Sequence, residues 1–167
     1  MRIFGDFSGK DRRVVRQTAF AIIVDGQGRI AVDEVRIGSR VFRDLPGGGR
    51  DYFYCPKMRQ WRLEEEEEAL PREVGEEIGM LVKLGARLGE AIQGYRSSDG
   101  RTNVLSYSGL WTAERVGQTP PTEDNHRLVW MDPVTAISQL RHDSHRWFVV
   151  EWLIWEQRDQ SYFPRVA

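Results

Sequence analysis

Apolar and polar positions change period several times along this chain, and the changes mark out its elements. Residues 1–13 are polar and irregular and read as a loose lead-in. Thr18 to Val24 is a short run rich in apolar and β-branched residues. Asp25-Gly26-Gln27-Gly28 bounds it and Arg29 to Glu34 follows, which predicts a hairpin. Leu45-Pro46-Gly47-Gly48-Gly49 is a breaker cluster that fits no ordinary strand or helix and calls for positive φ or a close neighbour. Residues 50–62 mix aromatics with cations at no clean period and read as a long loop. From about Glu65 to Ile78, Leu70, Val74 and Ile78 recur every four residues, which predicts a helix stopped by Gly79. Pro71 within a helix removes a hydrogen bond at a cost of about 3 kcal/mol, so a start at Glu67 or Glu68 is expected, with the proline in the first turn.

Beyond the helix, Met80 to Ala91 and Asn103 to Thr112 read as strands, with Ser97-Ser98-Asp99-Gly100 as turn chemistry. A loop over Gly117 to Asn125 with Pro120-Pro121, a strand over Arg127 to Met131 and helices over about 133–141 and 144–158 complete the pattern. Strands with a few interspersed helices predict a mixed sheet covered by helices, an α/β or α+β domain.

The 167 residues suit one domain, long enough to bury a core. With 24 Lys and Arg against 25 Asp and Glu, the net charge of -1 provides no global field for a nucleic-acid backbone, so nucleic acid is not expected as a partner. A polyanionic ligand would need local neutralisation. Cys55, the single cysteine, forms no intrachain disulfide, and His126, His142 and His145 show no zinc-type spacing. The start of the chain lacks the apolar core of a signal peptide, and Ala19 to Val24, the longest clean apolar stretch, is too short to span a bilayer. A cytoplasmic protein without membrane attachment is the expectation.

Candidate chemistry concentrates in Arg72-Glu73-Val74-Gly75-Glu76-Glu77-Ile78-Gly79-Met80. At about 100° per residue Glu73, Glu76 and Glu77 share one helical face, beside the apolar stripe of Leu70, Val74 and Ile78. Carboxylates so crowded repel, and a divalent cation removes that cost; all-oxygen ligation favours Mg2+ or Mn2+ over zinc. Acidic triplets at this spacing are common on solvated faces, so the context has to decide. Glu64 stands eight residues before Arg72, and the Gly47-Gly48-Gly49 cluster lies upstream of it.

Taken together, these residues resemble the signature of the Nudix hydrolases, G-x5-E-x7-R-E-U-x-E-E-x-G-U with U a bulky aliphatic, from Glu64 through Met80 position by position. The resemblance extends over about 16–150, from the Ala19–Val32 hairpin to Val129-Trp130-Met131-Asp132-Pro133. It implies a Nudix-like α/β/α sandwich with a mixed central β-sheet, one domain over 16–160 after a lead-in over 1–15. It also implies hydrolysis, with Mg2+ or Mn2+, of a pyrophosphate bond in a small-molecule nucleoside diphosphate linked to another moiety. Glu73 and Glu77 map onto the main metal ligands and Glu76 onto a further ligand or a carboxylate just behind them. Arg72 maps onto the arginine that holds the carboxylates, and Gly48, between Gly47 and Gly49, onto the loop glycine that faces substrate. A catalytically silent Nudix-like nucleotide-binding or regulatory domain is the alternative.

One departure is large: Gly48 stands sixteen residues before Glu64 where the signature has six, an insertion of about ten. Its aromatics, Tyr52, Phe53, Tyr54 and Trp61, are expected to pack down more than to stack on a base. The general base is expected to be Glu123, in Thr122-Glu123-Asp124-Asn125, with Asp124 next and Glu76 within the signature itself as the remaining choice. The five-glutamate run Glu64 to Glu68 reads mainly as a solvated helix start favoured by the helix dipole. Trp147, Trp152 and Trp155 share helical spacing and are expected in the core, with His142 and His145 as surface or capping groups.

Overall fold

Arg13–Ile23 organises the molecule, because its apolar positions alternate between two cores. Ala19, Ala21 and Ile23 face one way and pack with Leu70, Val74 and Ile78; Phe20 and Ile22 face the other and pack with Phe148, Val149 and Trp152. A strand buried on both faces must sit between layers. The computed structural model describes residues 1–5, 13–97 and 100–162, the side chains of 159–162 excepted. In chain order its elements are β1 (Arg2–Phe4), β2 (Arg13–Ile23), β3 (Ile30–Ile37), β4 (Arg40–Asp44), β5 (Gly47–Gly49), β6 (Tyr52–Cys55) and β7 (Gln60–Leu63). Then follow α1 (Glu66–Ile78), β8 (Met80–Arg96), β9 (Asn103–Gln118), β10 (His126–Met131), α2 (Pro133–Gln139) and α3 (Asp143–Tyr162).

The central sheet has the order β1-β8-β9-β2-β5 and is mixed: β1 with β8 and β2 with β9 run parallel, β8 with β9 and β2 with β5 antiparallel. Strands β10, β3 and β4 form a second, antiparallel sheet. One core lies under α1 and the other under α2 and α3, which gives the helix–sheet–helix layering expected for the fold class. No helix among the described residues is long and apolar enough to cross a membrane.

Several local expectations are corrected. The runs on either side of Asp25-Gly26-Gln27-Gly28 meet only at the Val24–Ile30 bridge and then diverge into different sheets, because both carry apolar residues for two cores. Gly47–Gly49 does form a strand, short and paired with Thr18 to Phe20, since such pairing needs only backbone groups. Residues 50–62 are not a loop: β6 and β7 make a hairpin, with Tyr54 against Trp61 across it and the Arg62 guanidinium 4.3 Å from the Phe53 ring centroid. Its aromatics do not all pack down, for Tyr52 and Trp61 are 71% and 70% exposed. Helix α1 begins at Glu66, ahead of the expected start, because the Glu68 carboxylate accepts the Glu65 backbone N–H at 2.9 Å and caps it early. Pro71 therefore lies inside the helix.

Strands β8 and β9 run on to Arg96 and Gln118, beyond the expected ends, with register shifts around Arg87. The first residues are not wholly irregular: Arg2–Phe4 pairs with Ala91 to Gln93, and β2 already begins at Arg13. Residues 6–12 of the expected lead-in, and Ser98 and Asp99 of the expected turn, lie outside the described residues.

Candidate active site

Helix α1 docks through Leu70, Val74 and Ile78, all buried, and so turns Glu73 and Glu77 toward the β5 edge of the central sheet. Gly79 ends it in the left-handed region at φ 67°, its N–H returning to the Gly75 carbonyl. Arg72 is the hub. Its Nη2 donates to Glu64 Oε2 at 2.6 Å and its Nε to Glu64 Oε1 at 3.1 Å, a two-pronged pairing. Its Nη1 donates to Glu73 Oε1 at 2.8 Å and Glu76 Oε2 at 3.0 Å, while Nη2 also reaches the Gly49 carbonyl at 3.2 Å. One guanidinium thus ties Glu64, the signature helix and the glycine strand together.

The glycines make this approach possible. Gly47 has φ 127°, and a Cβ there would lie 2.2 Å from the Ala19 carbonyl oxygen. A Cβ on Gly48 would lie 2.4 Å from Glu73 Oε2. The Gly47 N–H donates to Glu77 Oε2 at 3.2 Å, so all three glycines contact the signature residues.

Glu77 meets two residues that sequence reasoning missed. Ligand atoms of Asp33, Glu77 and His126 lie within 4.8 Å of one another. His126 Nδ1 is 2.7 Å from Asp33 Oδ2, and its Nε2 is 2.9 Å from Glu123 Oε2, so a carboxylate faces each ring nitrogen. Asp33 Oδ1 is buried and has no hydrogen-bond partner among the described residues. Burial, with Asp33, Glu73 and Glu123 close by, pushes the Glu77 carboxyl up to about 9 against the opposing Gly47 N–H. Burial also raises Asp33, against the pull of His126, and raises Glu73, against the pull of Arg72. A set of buried acids held above their usual range is short of positive charge.

These side chains line one cleft of about 370 Å³. Gly47, Gly48, Gly49, Glu73, Glu77 and Glu123 border it; Arg72 and Glu76 do not, and the half-exposed Glu76 turns toward Arg72. Glu123 is carried there by its loop, whose Thr122 and Glu123 N–H groups donate to the Glu76 carbonyl at 2.9 and 3.2 Å. Asp124 faces a separate shallow groove beside Glu34 and Arg127. The far wall is polar: Thr18 Oγ1 lies 2.9 Å from Ser106 Oγ and 2.8 Å from Ser108 Oγ, and the Ser144 N–H donates to Gln93 Oε1 at 3.0 Å.

His145, expected at the surface or as a cap, is 2% exposed beneath this wall, its Nδ1 3.2 Å from the Leu45 nitrogen, because α3 lays it against Phe20. Burial depresses His142 to about 3, so that ring is neutral. The sequence did carry one sign of Asp33: the acidic pair Asp33-Glu34 interrupts the apolar run Ile30 to Val35, and by strand alternation one of the two must turn inward. His126 carried none.

No protein-family model matches the chain, and no curated protein matches its sequence. Solved structures do. A Nudix hydrolase from Nitrosomonas europaea aligns with a TM-score of 0.61 at 18% identity, covering 84% of this chain and 90% of that one. A C. elegans Ap4A hydrolase, solved as a binary complex, aligns at 0.60 and 14% identity, covering 85% and 98%. A MutT protein from Methanosarcina mazei Go1 aligns at 0.57 and 18% identity, covering 93% and 99%.

Proposed function

The chain has the Nudix fold, and from that premise we propose that it is a divalent-metal-dependent hydrolase of a phosphoanhydride bond in a nucleoside diphosphate linked to another moiety. The observation that carries this reading is the meeting of Glu73, Glu77 and the unpartnered Asp33 Oδ1 in one cleft, under a glycine strand and behind a single arginine. The substrate class agrees with two structural neighbours, the Ap4A hydrolase and a UDP-X diphosphatase.

The donor set fits a hard cation. Glu73, Glu77 and Asp33 offer oxygens, the absent Cβ of Gly48 leaves room beside Glu73 Oε2, and Glu77 has no Lys or Arg within ion-pair distance among the described residues. Mg2+ or Mn2+ bound there would supply positive charge to offset the negative charge that develops on phosphate oxygens as the anhydride breaks. Arg72 does its work from behind: by neutralising Glu64 and one oxygen of Glu73 it fixes the orientation of the other. Glu76 shares the same guanidinium and helps hold it, or serves as a further ligand on reorientation.

Glu123 takes the proton of the attacking water, as the new P–O bond forms and the bridging P–O bond breaks with its electrons leaving on the departing phosphate. Its carboxylate is partly exposed and so stays open to that water, and His126 Nε2 holds it in place. The strand Gly47–Gly49 brings the substrate phosphates close, since no side chain stands between them and the carboxylates.

A screen of nucleoside triphosphates, dinucleoside polyphosphates, nucleotide sugars and ADP-ribose, with Mg2+ and with EDTA, tests the reading. Turnover with Mg2+ that stops in EDTA and in Glu77→Gln is the expected result. Undiminished turnover in EDTA would refute the metal-dependent mechanism, and nucleotide binding without any turnover would leave a binding domain.

A further inference from the structure

The cleft does not end at its polar far wall. Arg16, Tyr95, Arg141 and His142 border both the cleft and a second cavity of about 620 Å³ that runs outward from it. Arg40 and Arg96 border this outer groove as well, which brings four guanidinium groups to it from β2, β4, β8 and the turn before α3. Among the described residues its single bordering carboxylate is Asp143, whose Oδ1 lies 3.0 Å from Arg146 Nη1, while Arg96 Nε donates to the Gly100 carbonyl at 2.8 Å. Asp44 Oδ2 accepts from Arg141 Nη2 at 2.5 Å, and the Arg141 guanidinium also lies over the Phe42 ring, 4.9 Å from its centroid.

Arg16 and Arg40 have no carboxylate within ion-pair distance among the described residues. Arg16 is placed for a ligand: its Nη2 lies 3.0 Å from where a Gly49 Cβ would stand, so it reaches the glycine strand of the cleft. The amino end of the long helix α3 faces the same region, with His142 and Asp143 on the groove and Ser144 and His145 on the cleft, and adds its positive dipole end. The chain as a whole is at charge -1, so this concentration of cations is local. The opposite end of the cleft, by contrast, is acidic.

We propose that the arginine groove is a further phosphate subsite, so that the chain takes nucleotides bearing a phosphate beyond the diphosphate presented to Glu73 and Glu77. The proposal rests on the hydrolase reading for that diphosphate only. Arg16 and Arg40 can each bind phosphate oxygens by paired, charge-assisted hydrogen bonds, and Tyr95 between the two cavities offers a ring for the organic part that links them. That further phosphate has two sources, a phosphomonoester on the ribose or a longer polyphosphate chain.

The test is equilibrium binding to the 167-residue chain by calorimetry, in EDTA so that nothing turns over. One arm compares NADPH with NADH and coenzyme A with dephospho-coenzyme A. The other compares diadenosine tetraphosphate with diadenosine diphosphate. The phosphate-richer member of one arm is expected to bind about tenfold tighter or more. Arg40→Ala should cut the difference at least threefold and leave the phosphate-poorer member unchanged, while Arg115→Ala, outside the groove, should keep the difference. Equal binding in both arms, a difference that survives Arg40→Ala, or one lost equally in Arg115→Ala would overturn the proposal. Discrimination without turnover in Mg2+ would remove the hydrolase reading and keep the groove; turnover without discrimination would do the reverse.

Discussion

Glu77→Gln should stabilise the metal-free protein at neutral pH while destroying its response to Mg2+. The carboxyl of Glu77 is pushed from the ordinary glutamate value of 4.5 to about 9 by burial and by Asp33, Glu73 and Glu123. The folded state therefore keeps a proton that the unfolded chain gives up, and the stability linked to this group is whole below about pH 4.5 and declines as pH rises toward 9. At pH 7.5 the folded carboxyl sits about three pH units above its unfolded pKa, which at about 1.4 kcal/mol per unit is a penalty of about 4 kcal/mol. That figure is a ceiling, since the cleft opens to solvent. Glutamine removes the titration, keeps the volume and can still accept the Gly47 N–H. For a chain of this size about 4 kcal/mol corresponds to about 10 °C in Tm. The assay is a thermal melt of both proteins in EDTA from pH 5 to 8.5, repeated with Mg2+. The variant's advantage should be small at pH 5 and grow with pH, and Mg2+ should raise the wild type alone. A variant that melts at or below the wild type at pH 8, or an advantage independent of pH, would refute the argument.

Three other substitutions test separate parts of the site. Arg72→Ala removes the cation shared by Glu64, Glu73 and Glu76, and should cost about 2–4 kcal/mol in a denaturant melt and at least a hundredfold in kcat, with little restored by Arg72→Lys, which has no fork. Gly48→Ala, with its Cβ 2.4 Å from Glu73 Oε2, should weaken Mg2+ binding in a calorimetric titration, whereas Gly26→Ala, in open space, should behave as wild type. Glu123→Gln should lower kcat by about 10²–10⁴-fold with Mg2+ affinity nearly preserved and partial rescue at high pH. Full rate in Glu123→Gln would return the search to Asp124 and Glu76, of which only Glu76 is bonded to the site's arginine.

What could be read from the sequence was local in origin. The apolar period of Leu70, Val74 and Ile78 fixes which face of α1 is buried, and with it the side on which Glu73 and Glu77 emerge. The role of Arg72 in holding the carboxylates came from the resemblance, and its bond to Glu64 joins residues only eight apart. The partners of Glu77 were beyond such reasoning. Asp33 and His126 are 93 residues apart and meet because β10 lies antiparallel to β3, a register set by the whole sheet. The hairpin of residues 52–63 was hidden for another reason: with aromatics on both faces, Tyr52 and Tyr54 on one and Phe53 on the other, it shows no apolar–polar alternation.

That hairpin also explains how an insertion can enter the signature without disturbing the chemistry. An antiparallel pair returns the chain to within about 5 Å of where it left, so the residues added between Gly48 and Glu64 need not move either end. Here the return is fastened: the Glu64 N–H donates to the Asp51 carbonyl at 2.8 Å, and the Asp51 N–H donates to Glu64 Oε2 at 3.0 Å. Arg50 adds a third tie, its Nε to the Glu64 carbonyl at 2.6 Å. Glu64 therefore meets Arg72 from a position set by the hairpin's base and not by its length. The tip, with Lys57 and Arg59 beside the exposed Trp61, is free to vary while the distance from Arg72 to Gly49 stays fixed.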